Sequence, residues 1–171
     1  MRVLSIDPAL RKTGFSILEQ TEDGNTSSIQ ALVYDVITNP PKLLQSSCLV
    51  AIRSQLNAVI KEFAPDVCAI ESTIYVQSYK TAIALGTARA AALIAAGEHG
   101  IPIYEYPPKR VKQAVVGKGA ADKQQVAFMV RSMLRLTETP SPDAADAIAV
   151  GLTHINSAGS SCTPLSEAKQ I

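Results

Sequence analysis

LSIDPALRKTGFSIL, residues 4–18, is the stretch on which the reading of the whole chain turns. An apolar run, Val3-Leu4-Ser5-Ile6, delivers Asp7 into a turn that contains Pro8, and Thr13-Gly14 lead into a second apolar run. The pattern is strand, turn, strand. An aspartate that closes a buried strand just before a turn serves three chemistries. It can ligate a metal, help to cradle the phosphates of a nucleotide, or stop the strand through an Asx turn. The segment alone leaves all three open.

Working outward, residues 2–7 and 13–19 read as the two strands of this unit, and residues 28–38 as a third after the turn-rich TEDGNTSS. From 42 to 63 the apolar positions Leu49, Ile52, Leu56, Val59, Ile60 and Phe63 recur at three- and four-residue steps, which predicts an amphipathic helix ended by Pro65. DVCAIE, 66–71, reads as a strand buried on both faces and closing on Glu71. Residues 77–97 predict a helix rich in small side chains, suited to a core position or to a dimer face. IPIYEY, 101–106, reads as the last strand, and PPKRVKQAVVG as a short helix with proline at its start. Residues 122–136 predict another helix, and a final one opens at SPDAADAIAVGLTHI. This order implies an α/β domain with a mixed five-stranded sheet flanked by helices, over residues 1–156. A polar tail, expected to be disordered, follows over 157–171.

At 171 residues, 47% apolar and 18% charged, the chain suits one domain with its own core. Its three cysteines, Cys48, Cys68 and Cys162, are widely spaced and form no C-x-x-C pair, which argues against a zinc site or a disulfide framework. Neither a secretory pattern nor an apolar stretch long enough to span a bilayer is evident. A reducing cytoplasmic setting is expected.

The acids carry the chemistry. Asp7 and Glu71 each end an apolar strand; if those strands are parallel neighbours, both carboxylates emerge at one edge of the sheet. Asp143 and Asp146 lie three apart in PDAADA, on one face of a helix. Taken singly, each has a structural explanation: a strand end, a turn, or a helix N terminus. Taken together they have no common structural purpose. Clustered carboxylates raise one another's pKa unless a cation neutralises them, and an all-oxygen set suits Mg²⁺ or Mn²⁺ rather than zinc. Four carboxylates around two hard cations are the equipment of two-metal phosphodiester hydrolysis.

A cationic stretch adjoins the last acids. Residues 105–135 carry Lys109, Arg110, Lys112, Lys118, Lys123, Arg131 and Arg135 against Glu105 and Asp122. Beside a metal site such a segment reads as a polyanion-binding face, with Gly117 and Gly119 expected to let backbone approach the ligand.

With these residues assembled, the chain resembles the RuvC-type Holliday junction resolvases of the ribonuclease H-like superfamily, in order from residue 2 to about residue 155. SIDPALRKTGFSIL is similar to the family's opening segment, PDVCAIE to its second acidic strand and ALGTARAAALIAA to its Leu-Gly-x-Ala-Arg helix. YPPKRVKQAVVGKGAADKQQVAFMV resembles the basic segment and PDAADAIAVGLTH the final acidic helix. The resemblance implies a single ribonuclease H-like domain with metal-binding catalytic acids at Asp7, Glu71, Asp143 and Asp146. It implies that Lys112 and Lys123 contact DNA near the scissile phosphate, with Lys109, Arg110 and Lys118 as further DNA contacts. It also implies a Mg²⁺-dependent homodimer that nicks opposing strands of four-way junctions in recombination and repair. A branch-migration motor of the RuvA-RuvB type would be its partner, and the helix at 77–97 would belong to the dimer interface.

Two positions depart from the family pattern. Ala9 stands where the family has glycine, so the turn need not take a positive φ. Ile74 stands where the family has a junction-stacking aromatic, and Tyr75 or Tyr79 is the available substitute. The competing readings are an actin-like ATPase or kinase that grips phosphate with the strand-Asp-turn, a non-catalytic junction-binding protein, and a relative that cuts RNA or other branched structures. His99 and His154 are not needed by the metal mechanism; His154 is expected to point away from the acids.

Overall fold

The computed structural model describes residues 1–24, 26–72, 78–159 and 169–171. The strands are β1 (Arg2–Asp7), β2 (Lys12–Asp23), β3 (Thr26–Thr38), β4 (Val67–Glu71), β5 (Ile103–Tyr106) and β6 (Lys169–Gln170). The helices are α1 (Gln45–Phe63), α2 (Tyr79–Glu98), α3 (Pro108–Val116), α4 (Lys123–Leu134) and α5 (Pro142–Gly159). They form one mixed sheet in the order β3-β2-β1-β4-β5-β6. β1, β4 and β5 run parallel, while β2, β3 and β6 pair antiparallel to their neighbours.

The sheet therefore has six strands, not five, and β5 is not the last. β6 is a two-residue strand pairing Gln170 with Tyr104 and Lys169 with Glu105. So short a strand has no periodicity of its own, and only the free edge of β5 defines it. The final helix also continues past residue 156, to Gly159.

Side chains alternate between two cores. Leu4, Ile6, Phe15, Ile17, Cys68 and Ile70 face α1 and α2. Val3, Leu18, Val67, Ala69 and Tyr106 face α3, α4 and α5. The period-two rule then places Ser5 and Asp7 of β1, Glu71 of β4, and Gly14 and Ser16 of β2 on the α5 side. Cys68 is wholly buried and its thiol is pushed up to about 12 by that burial, which makes it a core residue and not a nucleophile.

The β1–β2 turn is closed from within. The Thr13 hydroxyl donates to the Ala9 carbonyl at 2.6 Å and lies 3.3 Å from the Ala9 amide. Among the described residues only Ala64 and Arg135 are non-glycines with positive φ, so Ala9 needs no glycine geometry. α2 packs Ala88, Ala91, Ala92, Ala95 and Ala96 inward, and Arg89 ties it to β5 through Glu105 at 2.7 Å. Among the described residues no helix is long and apolar enough to cross a membrane.

Candidate active site

Parallel pairing sets the first two acids side by side. Ile6 is in register with Ile70, so Asp7 and Glu71 leave the carboxyl ends of adjacent strands on the same face. The other two acids arrive on α5. The Ser141 hydroxyl accepts from the Ala144 amide at 3.4 Å, Pro142 opens the helix and Asp143 stands in its first turn. Asp146, one turn on, faces the strands beneath. The four predicted acids thus converge across the β1–β4 edge.

Lys123 completes the cluster. Asp122 caps α4 in a reciprocal capping box with Gln125, which fixes Lys123 as the first helical residue. A cation there is opposed by the helix dipole. It is held instead by Asp146 at 2.8 Å and Asp143 at 3.6 Å. The Asp146 hydrogen bond, followed by the charges of the surrounding acids, raises the pKa of Lys123. Lys112 of α3 shares with Asp7, Glu71, Asp146 and Lys123 a cleft of about 270 Å³ whose apolar wall includes Val111 and Val126.

The strand acids are strongly shifted. Burial, reinforced by the charge of Asp146, pushes Asp7 up to about 6. Burial, reinforced by the charge of Asp7, pushes Glu71 up to about 8, and the two carboxyls hydrogen-bond to each other. At neutral pH this pair therefore retains a proton in the absence of cations. Among the described residues no group of three or more acids, histidines or cysteines is arranged to enclose an ion as it stands. Lys123 and the shared proton supply the positive charge instead. The donor set fits hard divalent cations: it consists of carboxylate oxygens only, buried beyond what their own repulsion would tolerate.

Several expected residues have other surroundings. The Arg110 guanidinium donates to Ser157 Oγ of α5 at 3.0 Å, joining two helices. Lys109 and Lys118 are exposed. The glycines between α3 and α4 have local roles in the structure. Gly117 ends α3 in the left-handed conformation, and a Cβ on Gly119 would meet Lys109 Cγ at 2.8 Å. They serve the loop and the lysine stem. Ile74 and Tyr75 lie outside the described residues; Tyr79 opens α2 and is exposed. His154 points away from the acids, as expected, its Nδ1 lying 2.8 Å from the buried Tyr106 hydroxyl. That contact and the Arg110–Ser157 tie carry no short-range motif and were not legible in the sequence. Thr13 is wholly buried, with its hydroxyl engaged in the turn.

Acids at the carboxyl ends of two parallel strands, faced by an acidic helix and flanked by lysines, are an arrangement suited to two-metal phosphodiester hydrolysis on a fold of the ribonuclease H-like type. The family model described as crossover junction endodeoxyribonuclease RuvC matches residues 3–154. A RuvC from Akkermansia muciniphila is 50% identical over 171 residues, covering 100% of both chains. One from Syntrophomonas wolfei is 41% identical, over 92% of this chain and 90% of its own. The solved structure of T. thermophilus RuvC in complex with Holliday junction substrate superposes with a TM-score of 0.86 at 32% identity, covering 100% of this chain and 99% of that one. The chain belongs to the RuvC family of crossover junction endodeoxyribonucleases. It is accordingly a divalent-metal-dependent nuclease that hydrolyses DNA.

Proposed function

We propose that Asp7, Glu71, Asp143 and Asp146 hold two Mg²⁺ ions, with which a homodimer of this chain nicks opposing strands of a four-way DNA junction. The observation that carries the reading is the convergence of Asp7, Glu71 and Asp146 from three elements on one cleft that Lys112 and Lys123 also line, with Asp143 beside it within 3.6 Å of Lys123. When bound, the cations activate the attacking water and stabilise the leaving oxygen. The chain's own residues do the rest. Asp7 and Glu71 give up their shared proton as the cations enter. Lys123, released from Asp146, is free to meet a phosphate oxygen, and Lys112, lining the same cleft from α3, presents a second ammonium. Lys109 and Lys118, exposed beside this cleft, extend the cationic surface along the flanking backbone.

The outer face of α2 is the proposed dimer surface. Ile83 and Ile94 are 61% and 51% exposed, Val50 of α1 is 62% exposed, and an apolar groove runs between the two helices past Thr87 and Ala90. A two-fold pair through this face would carry two clefts, one for each opposing strand. Mn²⁺ serves as the substitute ion, and a branch-migration motor of the RuvA-RuvB type as the partner on DNA.

The test is cleavage of a labelled synthetic four-way junction and of a linear duplex of the same sequences, with Mg²⁺ and with EDTA. Paired nicks in the junction, dependent on Mg²⁺ and absent from the duplex, are expected. Equal cutting of both substrates would sink junction specificity, and unpaired single nicks would sink the dimer.

A further inference from the structure

Gly14 is the cross-strand partner of Asp7 and lies on the same face of the sheet. It is not among the glycines with positive φ, so space and not conformation demands it. A Cβ built there would stand 2.0 Å from the Asp143 carbonyl oxygen, 2.8 Å from its carbon and 3.2 Å from the Ala147 Cβ. The obstacle is the backbone of the first turn of α5, which cannot swing aside as the end of a flexible side chain can. One turn beyond Ala147, Gly151 touches the sheet from the helix side. There an added Cβ would meet the Ser5 hydroxyl at 2.7 Å and Leu18 Cδ1 at 2.8 Å, which are side-chain ends. α5 thus closes on the sheet through a glycine at two points, against backbone at Gly14 and against side chains at Gly151, and only the first lies under the acids.

We propose that Gly14 is a positioning residue for the metal centre. It sets the height of the first turn of α5 over β1, and so the separation between the Asp7–Glu71 pair and the Asp143–Asp146 pair. The inference rests on the reading of the four acids as metal ligands. A methyl group at Gly14 must lift the carbonyl of one proposed ligand by about 1 Å or more, a displacement of the size that costs a preorganised site about a hundredfold. At Gly151 the same methyl group meets side chains only, the Ser5 hydroxyl and Cβ and a Leu18 methyl, beneath the middle of the helix and away from the acids.

The experiment is calorimetric titration with MnCl₂ of the wild type, Gly14→Ala, Gly151→Ala and Asp7→Asn. Binding of a fluorescent four-way junction in EDTA reports that each protein is folded. Gly14→Ala is expected to bind Mn²⁺ at least about tenfold more weakly, the scale of losing an orienting contact, while keeping its EDTA junction affinity. Gly151→Ala, though less heat-stable, is expected to keep wild-type Mn²⁺ affinity. Should Gly14→Ala fail to fold, Ala147→Val thickens the same contact from the helix side and is expected to weaken Mn²⁺ in the same direction. Equal losses in Gly14→Ala and Gly151→Ala would overturn the inference, because general packing would then explain both. Wild-type affinity in Gly14→Ala alongside loss in Asp7→Asn would overturn it alone. A wild type indifferent to Mn²⁺ would overturn the metal reading with it.

Discussion

Asp7 and Glu71 end buried strands and hold a proton between them, whereas Asp143 and Asp146 open a helix at the cleft mouth and are met by the ammonium of Lys123. The two pairs bring the same charge to one cleft and relieve it by different means. The strand pair cannot move, since β1 and β4 are locked in register through Ile6 and Ile70, so protonation is its available relief. The helix pair faces a long side chain that can swing away. On the proposed two-metal reading, cations displace a proton on one side and an ammonium on the other, and each half of the site can be broken separately.

The heaviest break is expected in the strand pair. Asp7→Asn keeps the size of the side chain and its place in the turn but removes a charge that the cations require. Because a bound metal contributes several kcal/mol to the transition state, junction cleavage should fall about a thousandfold or more. Gel quantitation of nicked product against time reads this directly. Cleavage within a few-fold of wild type would show that Asp7 is not a ligand.

Breaking the helix side has two opposite consequences. Lys123→Met removes the ammonium that competes with cations for Asp146 and Asp143, so Mn²⁺ affinity measured without DNA should rise. The same change removes a positive group aimed at the phosphate, and cleavage at saturating metal should fall by about a hundredfold, the usual cost of one preorganised donor. If affinity and cleavage fall together, Lys123 holds the acids in place rather than competing with cations.

The two halves also differ in how far the sequence disclosed them. The strand acids were legible because each ends an apolar run, and the helical pair because a three-residue spacing fixes one face whatever the tertiary fold. Lys123 could be nominated from the basic stretch, but not its grip on Asp146, because the two residues belong to helices whose docking is decided by Val126 and Ile148 in the shared core. Gly14 stood in the opening stretch as half of a Thr-Gly pair, yet its reason is the Asp143 carbonyl, contributed by a helix that begins more than a hundred residues later. Arg110 looked like its lysine neighbours, and its tie to Ser157 on α5 could not be read from the stretch they share. β6 escaped notice because two residues have no pattern of their own. Local periodicity thus reveals which groups face the cleft, and long-range packing decides what neutralises them.

The smallest effect concerns the metal-free protein and isolates the strand pair. Asp7 is raised from 3.8 to about 6 and Glu71 from 4.5 to about 8, in each case first by burial. An unfolded chain sheds both protons by about pH 5, near the ordinary carboxylate range, while the folded chain keeps them to higher pH. Between about pH 4 and pH 8 the native state therefore binds more protons than the unfolded state, and linkage requires stability to fall as pH rises through that window. In EDTA the melting temperature should drop between pH 5 and pH 8 by on the order of 10 °C for a domain of this size. Asp7→Asn should flatten that slope and melt above wild type at pH 8, because it removes a buried charge that has lost its shared proton and faces the charges of Glu71 and Asp146. Saturating Mn²⁺ should reverse the slope in the wild type, since deprotonated carboxylates then gain their partners. Calorimetric scans at both pH values decide the matter: an EDTA slope identical in wild type and Asp7→Asn would place the proton elsewhere than on the strand pair.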